Sequence, residues 1–142
     1  MVELMVAIFL LALVLGLLIF NGRRAMVNRE QDKAAKDVES AINLTRQMAT
    51  NRGGATLRLV SPTGTADGSY EILSGPPASL RTEKKEPIQR SVRITSAPDL
   101  NLVFQANGGL PNDYVITVGS FATNRTTTIN VGKMTGGVRT SQ

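Results

Sequence analysis

Glu3 is the residue whose chemistry is hardest to explain away, because it stands at the mouth of an unbroken apolar run. Leu4 to Phe20 reads LMVAIFLLALVLGLLIF, 17 residues that are apolar or Gly. A charged carboxylate at the centre of such a helix costs about 2.5–3.5 kcal/mol in a bilayer, and less near an end. An acid held there needs a cationic partner or a place at the membrane surface. The other acids in the chain form no comparable device. Asp67, Glu71, Glu83, Glu86, Asp99 and Asp113 fall in loops or at strand edges, with no recurring spacing. Asp67 with Asp99 or Asp113 has the oxygen chemistry for calcium, against the plainer reading of solvated surface carboxylates.

Missing residue types exclude more. With no His and no Cys among its 142 residues, the chain has no Ser–His or Cys–His nucleophile, no thiolate metal site and no disulfide. Gly64 and Gly68 lie in TGTADG, which no Lys-Ser/Thr and no helix follow, so no phosphate loop is indicated. No catalytic set appears, and no cofactor or metal is expected. The net charge is +5. Residues 1–54 hold seven basic and five acidic groups, and 55–142 hold nine and six, so no single tail carries the excess. Such a balance fits a solvated basic surface, or attraction to DNA or anionic lipid.

Two elements must position Glu3. As a helix, Leu4–Phe20 spans about 26 Å, close to a bilayer's hydrocarbon thickness. Asn21, Gly22, Arg23 and Arg24 follow at once. A cleaved signal peptide would start with basic residues and end in a small-residue site, and this chain has neither. A transmembrane anchor fits the length. Beyond Arg24 the pattern turns amphipathic. Ala34, Val38, Ala41, Ile42, Thr45, Met48 and Ala49 share one helix face. Asp32–Lys36 and Lys33–Asp37 are spaced to pair on the outer side. Gly53 and Gly54 supply a stop. The spacing predicts one helix from about residue 1 to residue 52, softened at Gly16 and at Asn21-Gly22, which lower helix propensity.

From Ala55 short β-like runs take over: Thr56–Val60, Tyr70–Leu73, Ile88–Thr95, Leu102–Gln105, Tyr114–Val118 and Thr126–Val131. Turn-rich SPTGTADG, SGPP, SAPDLN, ANGGLPND and GKMTGG separate them. The fold class is therefore α+β: a long N-terminal α-helix packed on a small antiparallel β-sheet or sandwich head, with the helix covering one sheet face. The candidate core is Leu57, Leu59, Ile88, Val92, Ile94, Val103, Val115, Ile116, Ile129 and Val131. Residues 1–24 form a membrane or filament-core segment, 25–54 an amphipathic half-helix, and 55–142 the head.

Met1-Val2-Glu3-Leu4-Met5-Val6-Ala7-Ile8 resembles the start of type IV pilins and type II secretion pseudopilins. In those families a prepilin peptidase cuts after a Gly, and the mature chain starts with an N-methylated residue and has Glu fifth. By that pattern Glu3 is the family's Glu, and a leader and two residues would precede Met1. The resemblance implies that Glu3 pairs with a neighbouring subunit's N-terminal ammonium and acts as a register pin in assembly. It implies a homo-oligomeric filament, an inner-membrane location before assembly, and an extracellular or periplasmic filament afterwards. It also implies that Gly16, Asn21 and Gly22 mark a stretch that melts in the assembled state, as in pilins that carry a Pro there.

Ile42-Asn43-Leu44-Thr45-Arg46-Gln47-Met48-Ala49 followed by Asn51-Arg52-Gly53 is similar to the helix end of H-type pseudopilins and T-type minor pilins. Val103 to Gly109 matches that group's Phe and Gly turn, and Thr128 to Arg139 its closing strands. Some T-type minor pilins bind DNA through a basic Gly-Arg-x-Arg tail. Here the stretch reads Gly136-Gly137-Val138-Arg139, with one arginine replaced, and Arg125 and Lys133 are candidates to add charge. DNA capture for natural transformation is thus the alternative to a purely structural subunit.

Overall fold

The computed structural model describes residues 2–141 apart from 64–65, 76–78, 98–99 and 134–136, and excludes the side chains of 2, 18–21, 23–24 and 97. Asp99 and Gly136 therefore lie outside the described residues.

α1 runs unbroken from Val2 to Arg52. Nothing in its sequence interrupts it, since the first Pro is Pro62. Gly53 ends it at φ 80°, a left-handed value that a side chain resists, so the expected stop is where the sequence placed it. The predicted stripe faces inward. Ala34, Ala35, Val38, Ala41, Ile42 and Ala49 are buried, with Met48 half-buried. Four alanines on that face let the strands approach closely. Thr45 is also buried, and its hydroxyl donates to the Ala41 carbonyl at 2.6 Å, which satisfies it within the helix.

Among the described residues the head holds eight strands: β1 (Gly54–Val60), β2 (Gly68–Ser74), β3 (Arg81–Ile88), β4 (Val92–Ala97), β5 (Asn101–Gln105), β6 (Tyr114–Ser120), β7 (Thr126–Val131) and β8 (Val138–Ser141). They form two four-stranded sheets, in the orders β3-β2-β1-β5 and β4-β6-β7-β8. Every pairing between them is antiparallel. The helix lies against both sheets, chiefly β1 and β2 of the first and β6 of the second, rather than covering a single face. At the seam the Ile94 N–H donates to the Ser61 hydroxyl at 3.3 Å.

Ile88–Thr95 is not one strand. A turn at Gln89–Ser91, closed by Val92 N–H to Gln89 carbonyl at 3.1 Å, ends β3 at Ile88 and starts β4 at Val92. β3 itself, RTEKKEPI, carries no strand pattern in the sequence, because it is exposed at every position but Ile88 and shows no apolar alternation. It is an edge strand, and its lysines and Pro87 suit an edge that must not pair further. Val103 and Val115 are not core: they are 49% and 43% exposed. Their neighbours Leu102, Phe104, Tyr114 and Ile116 take the inward positions instead, because adjacent strand residues point to opposite faces.

Candidate functional site

The lower helix, over residues 4–17, presents an uncovered apolar surface. Leu4, Met5, Val6, Ile8, Phe9, Leu10, Leu11, Leu13, Val14, Leu15 and Leu17 are each 49–72% exposed. Ile8 to Leu11 alone make a full turn, so apolar side chains project on every side of the helix. A helix apolar all round is stable only when surrounded. Burying such a side chain fully yields about 1.5–3 kcal/mol. Glu3 is exposed at the foot of this surface, with no hydrogen bond or ion pair to it among the described residues. No helix among the described residues is long and apolar enough to cross a membrane; within the N-terminal apolar run the described side chains end at Leu17, and those of 18–21 lie outside. The backbone is helical through Gly16, Asn21 and Gly22. A Cβ at Gly16 or Gly22 would meet nothing within 4 Å, so neither glycine is demanded by packing.

Above this surface, three consecutive helix residues grip the head. Glu30 accepts a 2.6 Å hydrogen bond from the Ser91 hydroxyl. The Gln31 amide donates to the Val118 carbonyl at 3.2 Å and the Arg125 carbonyl at 3.0 Å. Asp32 lies 3.3 Å from the Arg125 guanidinium. The expected Asp32–Lys36 pair is thus replaced by a contact across the fold. Gln31 is fully buried, although the stripe read from the sequence begins only at Ala34. The signal was there: position 31 continues the 34, 38 spacing of the buried stripe.

Arg125, Lys133 and Arg139 do not form one patch. Arg125 precedes β7 and is tied to Asp32. Lys133 follows β7, at the other end of a strand about 20 Å long. Its backbone N–H donates to Asp113 Oδ1 at 2.6 Å, which occupies one proposed calcium oxygen. Arg139 is exposed on the edge strand β8, opposite Asn130.

The other described acids of the head are paired. Asp67 meets Arg90 at 2.6 Å, and that hydrogen bond raises the Arg90 pKa. Glu71 meets Lys85 at 2.6 Å, and this contact holds its carboxyl below the ordinary range. Glu83 accepts from Ser74 at 2.6 Å and from Arg52 at the helix end; the Ser74 bond chiefly, then the guanidinium, lowers its pKa. Lys84, beside Tyr70 and Glu86, is raised. Among the described residues no group of acids is placed to hold a metal ion.

A groove of about 570 Å³ opens between the helix flank at Glu30–Asp37 and the inner side of β2 and β3. It is lined by charged side chains over a buried floor.

No known family's sequence profile matches this chain, and no curated protein does. Among solved structures, the type IV minor pilin FimU of Pseudomonas aeruginosa is similar, with a TM-score of 0.62 and 14% identity over 78% of this chain and 92% of that one. At that identity the likeness speaks for architecture. This chain, with its long N-terminal helix backing antiparallel sheets, has the pilin fold.

Proposed function

We propose that the protein is a structural subunit of a type IV pilus or pseudopilus, of the same kind as the H-type pseudopilins and T-type minor pilins. The observation that carries this reading is the stem of exposed apolar side chains from Leu4 to Leu17 below a head with its own closed core. Water cannot solvate that stem favourably. A bilayer before assembly and a bundle of neighbouring helices after it both can.

In this reading residues 1–24 pack in the filament core, 25–54 back the head, and 55–142 face outward. A prepilin peptidase processes the N-terminus. The chain waits in the bacterial inner membrane and ends in an extracellular or periplasmic filament. Glu3 supplies register, because a carboxylate among apolar helices is costly unless a neighbour's N-terminal ammonium meets it. The stretch from Gly16 to Gly22, whose two glycines no packing demands in the lone subunit, extends or melts on assembly.

The test is Glu3→Leu and Glu3→Ala in cells that make the chain. Both variants should remain in the membrane fraction while sheared filaments disappear. Normal filaments from either would refute the register role.

A further inference from the structure

Two contacts fix which way the second sheet runs along the helix. Asp32 lies 3.3 Å from the Arg125 guanidinium. Higher up, the Thr140 hydroxyl donates to Glu39 at 3.3 Å, and Thr140 lies opposite Ile129 of β7. The chain from Arg125 to Ile129 therefore climbs alongside the helix from Asp32 to Glu39. The β6–β7 hairpin, residues 121–125, is thus the end of that sheet nearest the apolar stem. The head's cover on the helix stops at the same level. Val27 and Asn28 are half-buried, and every described side chain of the helix below them is exposed.

This lower rim carries an apolar tip and unpaired cations. Phe121 leads the hairpin and is 55% exposed, with its N–H donated to the Ser91 carbonyl at 3.0 Å. Met26 on the helix is 64% exposed. Arg29 of the helix and Arg93 of β4, opposite Gly119, are exposed and have no ion pair among the described residues. The acids nearby are each occupied: Glu30 by the Ser91 hydroxyl, Asp32 by Arg125 and Asp67 by Arg90. Between Glu3 and Glu30 the sequence has no acid but holds Arg23, Arg24 and Arg29. An exposed aromatic ring beside unpaired arginines, above an apolar helix, has the chemistry of a segment that lies among lipid headgroups. The height agrees. Asn28 stands about 12 Å above Phe20 along the helix, and a tilt of about 20°, ordinary for a membrane span, lowers the hairpin side toward the headgroup layer.

We propose that, before assembly, the β6–β7 hairpin docks on the membrane surface, with Phe121 in the headgroup layer and Arg29 and Arg93 against the phosphates of anionic lipid. The inference rests on the membrane stage of the reading above and adds a second contact to that of the stem. The contact fixes the tilt and rotation at which the head stands before it joins a filament.

The chain has no Trp, so a single one reports its own surroundings. Phe121→Trp is made in the full chain and reconstituted at one copy per lipid nanodisc, which leaves no second copy to cover the ring. Val103→Trp, opposite Thr56 near the upper end of the helix, is the reference, and Leu10→Trp reports on the stem. In discs containing phosphatidylglycerol, Phe121→Trp should emit to the blue of Val103→Trp. A spin label on the lipid headgroup should quench it and leave Val103→Trp unchanged. Arg29→Glu and Arg93→Glu, each added to Phe121→Trp, should lower the ratio of docked to free heads by about fivefold. Emission and quenching no different from those of Val103→Trp overturn the proposal. Equal quenching in discs of phosphatidylcholine alone, untouched by the charge reversals, overturns the arginine–phosphate contact. Leu10→Trp judges the membrane reading separately. Quenching there by brominated acyl chains, with no headgroup quenching of Phe121→Trp, leaves that reading standing and removes only the hairpin contact; no quenching at position 10 removes the reading itself.

Discussion

Arg125 and Asp32 meet at 3.3 Å across 93 positions of chain, joining the loop before β7 to the helix. The pair sits beside Gln31, whose amide spans two backbone carbonyls of the same region. Both contacts hold the head to its spine, but they differ in energy. Asp32 and Arg125 are each 37% exposed, so water screens the pair, and its removal should cost at most about 1 kcal/mol. Gln31 is fully buried, and Gln31→Ala leaves two carbonyls short of a donor, at about 1–3 kcal/mol. Denaturant melts of the full chain in detergent, followed by circular dichroism, should rank Gln31→Ala well above Asp32→Ala. The opposite order would show that the ion pair is the stronger fastening.

Glycines give a second contrast. At Gly68 a Cβ would lie 2.5 Å from both the Val60 carbonyl oxygen and Pro62 Cδ. That carbonyl is backbone and has little room to yield, so Gly68→Ala should destabilise the head by about 1–3 kcal/mol. At Gly16 nothing lies within 4 Å. Gly16→Ala should stabilise the isolated subunit's helix by about 0.5–1 kcal/mol. Helical content read at 222 nm on heating distinguishes the two.

Acid should loosen the upper end of the head. Glu71 and Glu83 both have pKa values depressed by their partners in the folded state. A depressed carboxyl contributes stability that is fully present above its unfolded value and lost as pH falls through the folded one. Urea midpoints should therefore hold steady near neutrality and fall below about pH 4. Glu83→Gln should flatten that acid limb, since its Ser74 and Arg52 contacts no longer titrate. An unchanged limb would place the acid sensitivity elsewhere.

Strand parity gives the fourth expectation. Phe104 is 1% exposed, while Val103 is 49% exposed on the opposite face of β5. Phe104→Ala should cost about 3–5 kcal/mol through the cavity it leaves. Val103→Thr should stay within about 0.5 kcal/mol. Equal effects in thermal unfolding would contradict the register of β5 against β1.

What was legible in the sequence is what depends on local chain physics. The helix from Val2 to Arg52 follows from a Pro-free stretch, a continuous apolar run and a period near 3.6 ending at Gly53. The α+β class follows from the turn-punctuated runs behind it. The exposed stem and the oddity of Glu3 are likewise properties of composition at known positions. Tertiary structure decided the rest. β3 was invisible because its pairing comes from backbone hydrogen bonds to β2, which charged side chains neither require nor forbid. Val103 and Leu102 are equally apolar, and only the partner strand determines which one faces inward. Asp32 had a partner four residues away on paper and took one 93 residues away in space, because folding brought Arg125 to the helix. Local propensity is written along the chain, whereas partners distant in sequence exist only once the two sheets have closed against the helix.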